Sequence, residues 1–359
     1  MTDADRHAPD KGERRDPATG KFRRALAEFG SGPVLVLGHN DADGLAASSI
    51  LARGLARQGR PTEVRILKRG ETAWSPDIRV ELAGRAPGGL IVTDLGVRSG
   101  TILADVPTVF IDHHVPQGSP ESATVLSGFG MDPVPTSSLL ALRCVSAGAN
   151  VDDLLWLAAV GLVGDMAETS GFAEMAVARR RWGITLLRKI ASLLNQPRRS
   201  ASGDPTPALA LLMKCREPQE LLSGEHSETA ALLAAREEVR AELDAARRIA
   251  PRVAGDVALI RFASPCQVHP LVAQAWTGRL RDRIVLAANT GFRPDWVHFA
   301  ARAARDVDLV AFLAAHAPPG ADENYGGGHR KASGGALRPA DWNAFVRSLG
   351  FGAEMEVTA

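Results

Sequence analysis

Cysteine is scarce in this chain, and the three present (Cys144, Cys215 and Cys266) are odd in number and widely spaced. They offer neither a paired zinc spacing nor a disulfide framework, which fits a reducing cytosol and a cytoplasmic protein. Long apolar runs are also missing, so no membrane partner is expected. The segment Met1 to Lys21 is polar, rich in Asp, Arg and Pro, and lacks the apolar core of a signal peptide; residues 1–25 are expected to be a disordered tail. Neither sign of charge dominates: 42 Lys and Arg stand against 41 Asp and Glu, a net charge of +1. That excludes a global electrostatic pull toward nucleic acid, so any such binding must be local. Two nucleotide signatures are absent as well. Without GxxxxGK[ST] or GxGxxG, neither a P-loop ATPase nor a dinucleotide-dependent oxidoreductase is expected.

What is present starts at Val34-Leu-Val-Leu-Gly-His39-Asn-Asp41-Ala-Asp43-Gly44. Four apolar residues read as a short buried strand, and Leu45 to Gln58 reads as a helix. A strand that ends in ligand-type residues and turns into a helix is a common way to hold a site at the carboxyl edge of an α/β sheet. Asp41 and Asp43 raise each other's pKa if they ionise side by side, and a divalent cation removes that penalty. The plain alternative is a solvated Asp-rich turn. A calcium loop fits poorly, because the place of its closing Glu, counted from His39, is taken by Ile50.

The same pattern recurs. Glu63 to Leu67 reads as a second strand. Gly88 to Thr93 is an apolar strand ending at Asp94, and Val106 to Ile111 runs into Asp112-His113-His114. One such ending is noise; three place ligand types along one sheet edge. A helix capped by Thr136 or Ser137 is expected to run to about Ser146. Another, capped by Asp152, covers 154–163, is apolar on nearly all sides, and ends at Gly164-Asp165. An aspartate at the end of a buried helix needs a cation or a donor, so Asp165 joins the set.

Further along, residues 173–193 read as one helix with Arg179 to Trp182, Arg188 and Lys189, followed by Arg198 and Arg199. This is either a solvated basic face or a phosphate track with Trp182 as a stacking platform. Residues 195–207 read as a loop and 227–250 as a long charged helix. Strands are then expected over 257–262, 284–288 and 296–301, and a helix over 307–315. Last comes Tyr325-Gly326-Gly327-Gly328-His329-Arg330-Lys331, read as a glycine loop whose N–H groups cradle an anion beside His329 and Arg330; a mere flexible turn is the alternative.

The strand-end groups His39, Asp41, Asp43, Asp94, His113, His114 and Asp165 suit two divalent ions. Mixed oxygen and nitrogen donors favour manganese, with magnesium as the other choice. Two ions clamp the attacking and leaving oxygens of an in-line displacement at phosphorus, with a bridging hydroxide as nucleophile and Asp94 as the bridging carboxylate. The expected chemistry is metal-assisted hydrolysis of a phosphoester or phosphoanhydride.

At these residues the sequence resembles the DHH phosphoesterase superfamily, named for Asp112-His113-His114. His39-x-Asp41-x-Asp43-Gly44, Asp94 and Gly164-Asp165 match its other motifs. Gly326-Gly-Gly-His329, with Ala332 and Gly334, matches the glycine-rich motif of its associated C-terminal domain. The match runs from about 30 to 340. The resemblance implies two α/β domains with largely parallel sheets, joined by a long helical linker, with the active site in the interdomain cleft. The boundaries expected are a DHH catalytic domain over 26–195, a linker over 196–250, and a substrate-binding domain over 251–359. By position it implies His39, Asp41 and Asp94 on one ion, and Asp43, Asp94, His113 and Asp165 on the other. His114 would contact the scissile phosphate, with Gly326, Gly327, Gly328, His329, Arg330 and Arg302 binding substrate. Arg302 falls where relatives carry a phosphate-binding Arg, although their neighbouring Ser is replaced here by Ala300, Ala301 and Ala303.

The HxDxDG spacing resembles the RecJ-like branch, which acts on single-stranded DNA or RNA from one end. The added OB-type domain of a full RecJ has no room here, which points to a compact enzyme for short oligonucleotides or one needing a partner. The alternatives are a small-substrate phosphodiesterase or phosphatase (nanoRNA, linear or cyclic dinucleotides, nucleotide bisphosphates) and, from another class, a non-catalytic scaffold.

Overall fold

The computed structural model of the chain describes residues 17–322 and 325–358. They divide into two compact units: the described residues up to 192 with 208–226, and 193–207 with those from 227 onward. The stretch expected to be a linker, 196–250, is therefore shared between the units.

The first unit opens with α1 (Pro17–Ala27). This helix takes up the last part of the tail expected over 1–25; residues 1–16 lie outside those described. Phe22, Ala25 and Leu26 recur on one helical face and are buried, and their apolar surface orders the segment. Five strands follow: β1 (Val34–Gly38), β2 (Thr62–Ile66), β3 (Gly89–Thr93), β4 (Thr108–Asp112) and β5 (Ala123–Ser127). All pairs are parallel, in the order β2-β1-β3-β4-β5. Strands β1, β3 and β4 are buried along their whole length, as expected of a sheet covered on both faces. One face packs Leu35, Leu37, Leu90, Val92 and Phe110 against Ile78 and Leu82 of α3 (Pro76–Ala83). On the helical side, α2 (Ala42–Arg57) packs against α4 (Ser137–Ser146) and α5 (Leu155–Gly164). Because β2 lies on one side of β1 and β3 on the other, the chain reverses its winding between β1 and β3, and the carboxyl ends of strands open a crevice at such a point.

Several local readings change. Asp152 does not cap α5: a short 3-10 turn, Asp152–Leu154, intervenes, and Leu154 stands at the cap position. The expected single helix over 173–193 is two, α6 (Ala173–Trp182) and α7 (Ile184–Leu194), broken at Gly183. Gly183 has φ 78° and ψ 141°, a region that excludes side chains with a Cβ. The expected loop at 195–207 contains a short helix, α8 (Gln196–Arg199). Then come α9 (Thr206–Lys214) and α10 (Ser227–Arg247).

The second unit holds β6 (Arg252–Ala254), β7 (Val257–Phe262), α11 (His269–Thr277), β8 (Ile284–Arg293), β9 (Trp296–Ala303), α12 (Leu309–Ala315), β10 (Tyr325–His329), β11 (Ala332–Leu337) and α13 (Pro339–Ser348). Its sheet runs β10-β11-β9-β8-β7-β6, and here the largely parallel arrangement expected gives way. Only β7 and β8 are parallel; the other pairs are antiparallel. The connections decide this: β7 and β8 are joined by a crossover helix, whereas β8–β9 and β10–β11 are joined by two-residue turns that force antiparallel return. Alternation along β8 places Ile284, Leu286 and Ala288 against Trp342 and Phe345 of α13, and Val285 and Ala287 against Val272 and Ala273 of α11.

A Cβ at Gly183 would meet no neighbour within 4 Å, so only its backbone opposes substitution. Gly183→Ala should therefore destabilise the first unit by about 1–3 kcal/mol, read as a lower urea midpoint with an unchanged slope.

Candidate metal centre

All the strand-end groups singled out in the sequence meet at the carboxyl edge of the first sheet. β1 delivers His39, β3 delivers Asp94, and β4 delivers Asp112, His113 and His114. Asp41 is the N-cap of α2, accepting from the Gly44 N–H at 3.0 Å, so Asp43 lies in the first helical turn, its carboxylate close to Asp94, His113 and Asp165. Gly44 is required by close approach: a Cβ there would stand 2.6 Å from both the Cβ and the carbonyl oxygen of His39. Asp165 is the C-cap of α5. Asp94 itself has φ +63°, a left-handed backbone uncommon for a residue other than glycine and tolerated best by Asn and Asp.

Two donor sets result. Ligand-type atoms of His39, Asp41 and Asp94 lie within 4.8 Å of one another, and so do those of Asp43, Asp94, His113 and Asp165. Asp94 belongs to both. His39 Nδ1 is 3.0 Å from Asp41 Oδ2 and 3.6 Å from Asp94 Oδ2. His113 Nε2 is 3.4 Å from Asp94 Oδ1 and 3.2 Å from Asp165 Oδ2. These atoms are close without hydrogen-bond geometry: His39 Nδ1, His113 Nε2 and Asp165 Oδ2 are buried and have no hydrogen-bond partner among the described residues. Donor atoms that converge on a common point, rather than on each other, fit a cation.

Electrostatics agree. Burial, with the charges of Asp94 and Asp165, pushes the Asp43 carboxyl well above the usual carboxylate range. Burial and the Asp94 and Asp41 charges also raise Asp165, against the opposing pull of His113. Burial disfavours protonated His39, but Asp41 and Asp94 outweigh it and bring its pKa up to about 10. Burial is likewise outweighed at His113, where Asp165, Asp94 and Asp43 bring it up to about 11. Without a cation, protons must balance the carboxylates; a divalent ion displaces them.

Three positioning residues lie outside the set expected from sequence. Ser137 and Ser138, at the start of a helix read there only for its cap, hold the acids. Asp43 Oδ2 accepts from the Ser137 N–H at 2.8 Å, and its Oδ1 accepts from the Ser138 N–H at 3.1 Å and from the Ser138 hydroxyl. The Ser137 hydroxyl donates to Asp94 Oδ1 at 2.9 Å. Asp112 is buried and accepts from the N–H groups of Gly96 and His114, and its Oδ1 lies 3.0 Å from His114 Nδ1. That bond raises the pKa of His114. A serine beside a cap reads as a cap in sequence; only the fold shows what its side chain reaches.

The other residues expected at the site belong to the second unit. Gly326, Gly327 and Gly328 are not on a loop but on β10, an edge strand with a bulge at Gly326 (φ 76°). The Ser333 hydroxyl donates to the Gly327 carbonyl at 2.8 Å. His329 closes β10 and Arg330 lies in the turn that follows, exposed and 3.4 Å from Asp306. Arg302, on β9, pairs with Ala332 and donates to the Ala301 carbonyl at 2.8 Å; burial lowers its pKa. With Arg281, Arg305 and Lys331 it lines a cavity of about 580 Å³.

Trp182, read as a stacking platform, is buried; its indole N–H donates to Glu217 at 2.6 Å, and the Arg181 guanidinium covers its ring at 4.5 Å. Arg181 pairs with Glu217 and Arg188 with Glu168.

No sequence profile of a known family matches the chain, and no curated protein matches it in sequence. Solved structures do match in fold. A RecJ exonuclease bound to manganese superposes with a TM-score of 0.66 at 21% identity, covering 93% of each chain. RecJ from Thermus thermophilus in complex with Mn2+ gives 0.65 at 20%; 92% of this chain spans about half (53%) of that one. A DHH domain from a member of a ribosomal-protein family gives 0.65 at 16%, over 92% of this chain and 89% of that one.

Removing the Ser138 hydroxyl leaves Asp43 with weaker orientation. Ser138→Ala should lower affinity for a divalent cation by roughly 10–100-fold with little change in secondary structure, measured by calorimetry and circular dichroism. Because His39 and His113 are protonated at neutral pH before loading, metal binding should release protons and strengthen as pH rises. Calorimetry in buffers of different ionisation enthalpy reads that release, and equal heats in all buffers would contradict it. In fold, then, the chain is similar to these RecJ and DHH-domain structures.

Proposed function

We propose that the chain is a divalent-metal-dependent phosphodiesterase of the RecJ-like kind, acting from one end on single-stranded DNA or RNA or on short oligonucleotides. The observation that supports this most is the sharing of Asp94 between two donor sets of mixed carboxylate and imidazole. His39, Asp41 and Asp94 hold one cation, and Asp43, Asp94, His113 and Asp165 the other. Manganese suits this set, with magnesium as the alternative. Ions so held supply charge neutralisation at the phosphoryl oxygens and an activated water.

The chain's own groups do the rest. His114 is half exposed and its Nδ1 is bound to Asp112, so the ring is oriented and its second nitrogen serves the scissile phosphate. The raised pKa of His114 keeps a proton available to the phosphate or the leaving oxygen. In the second unit, Arg302, Arg330 and the glycines of β10 with His329 bind substrate phosphate or the terminal nucleotide. The cations lining the Arg302 cavity support that role.

A specific observation favours short substrates within this class. Arg181 and Arg188, the centre of the basic segment that read as a phosphate track, are already paired with Glu217 and Glu168. A di- to tetranucleotide phosphodiesterase needs no such track.

The test is a panel of end-labelled DNA and RNA oligonucleotides of rising length, with manganese and with a chelator. Hydrolysis is expected with manganese and lost with EDTA. Asp94→Ala should lower the rate by on the order of a thousandfold or more while the fold survives. Activity retained in Asp94→Ala would remove the bridging role. His329→Ala should raise KM more than it lowers metal affinity, and unchanged kinetics would remove the glycine-rich strand from the reading.

A further inference from the structure

A second cluster of ligand-type side chains lies in the first unit, sharing no residue with the centre at the strand ends. Donor atoms of Cys215, Glu220 and His226 lie within 4.8 Å of one another. In sequence these three showed no pairing, because a lone cysteine eleven residues before a histidine matches no finger-like spacing. The fold brings them together. Cys215 follows the last turn of α9, its N–H bonded to the Leu211 carbonyl at 2.8 Å. Glu220 starts the 3-10 turn Glu220–Leu222. Gly224, with φ 82°, then turns the chain back so that His226 returns toward Cys215.

The arrangement is held from outside, as a built site requires. Arg53, from α2, donates to the carbonyls of Leu212 and Cys215 at 3.0 and 2.9 Å. The Trp156 indole N–H, from α5, donates to the Arg216 carbonyl at 3.1 Å. Glu220 is oriented by the backbone: its Oε2 accepts the Arg216 N–H at 2.9 Å. A carboxylate so bound keeps one edge for a ligand, the usual form of support around a metal. Cys215 is fully buried, whereas Glu220 and His226 are half-buried, so an ion has a route in from the histidine side.

We propose that Cys215, Glu220 and His226 bind a single zinc-type cation, with water completing its tetrahedron, and so clip residues 215–226 to the end of α9. The donor set selects the metal. Thiolate with imidazole and one carboxylate suits zinc and is poor for magnesium or manganese. The two clusters therefore sort metals by softness: oxygen and nitrogen at the strand ends, sulfur here.

Cobalt reports the difference, because only a thiolate ligand yields a sulfur-to-cobalt charge-transfer band, and the strand-end cluster contains no cysteine. The full chain, preloaded with manganese, is titrated with Co2+ and then with Zn2+. The band is expected to appear, to level off at the intensity of one cobalt–thiolate bond per chain, and to vanish as zinc displaces it. Cys144→Ser and Cys266→Ser keep it and Cys215→Ser loses it. His226→Ala, at a half-buried position and with its folding checked by circular dichroism, weakens cobalt binding by about tenfold or more. No band in the unaltered chain, a band that survives Cys215→Ser, or unchanged affinity in His226→Ala would each overturn the proposal. None of these readouts depends on hydrolysis, so the fate of the proposed phosphodiesterase activity is a separate question.

Discussion

The crowding of buried carboxylates at the strand ends is the constraint around which the first unit is built. Asp43 is fully buried, Asp94 nearly so, and each lies close enough to raise the charging penalty of its neighbours. Such a group is stable only if something positive faces it. The fold provides three partial answers. The N-terminus of α4 aims the Ser137 and Ser138 amides at Asp43, where the helix dipole also favours negative charge. His39 and His113 stand between pairs of acids. The Ser137 hydroxyl engages Asp94. A cation between the donor atoms would complete the balance, and the inward-facing nitrogen and oxygen atoms without hydrogen-bond geometry lie where it would sit.

The parallel sheet makes that crowding reachable. Short strands buried on both faces all present their carboxyl ends on the same side, so residues far apart in sequence arrive at one edge without long loops. The reversal of winding between β1 and β3 leaves room there. Asp94 occupies a left-handed backbone at that gap, the sort of local strain that a packed scaffold can hold.

The second unit solves a different problem with a mostly antiparallel sheet. Arg281, Arg302, Arg305 and Lys331 concentrate positive charge along one cavity, and the glycine-rich edge strand leaves its backbone uncovered by side chains at Gly327 and Gly328. Cations and bare backbone recognise anions, whereas clustered carboxylates recognise metals. The chain's near-zero net charge thus hides two strongly polarised places. The Arg179 to Arg199 segment shows the converse: a basic run in sequence is partly neutralised by Glu168 and Glu217 from elsewhere in the fold.

Hydrophobic patterning was enough to mark the elements that carry the metal-type residues. Apolar runs that stop at His or Asp identify β1, β3 and β4, since a strand buried on both faces must be apolar throughout and polar groups can appear only where it leaves the sheet. Period and caps likewise marked α2, α4 and α10. The remainder waited on packing in three dimensions. Whether β8 and β9 run parallel or antiparallel depends on a turn, not on hydrophobicity. The break at Gly183 depends on one backbone angle. The roles of Ser137, Ser138 and Asp112, and the meeting of Cys215 with Glu220 and His226, depend on distances through space. Composition and periodicity report which surfaces must be buried, while hydrogen bonds and ligand geometry are directional and arise only when remote segments are packed together.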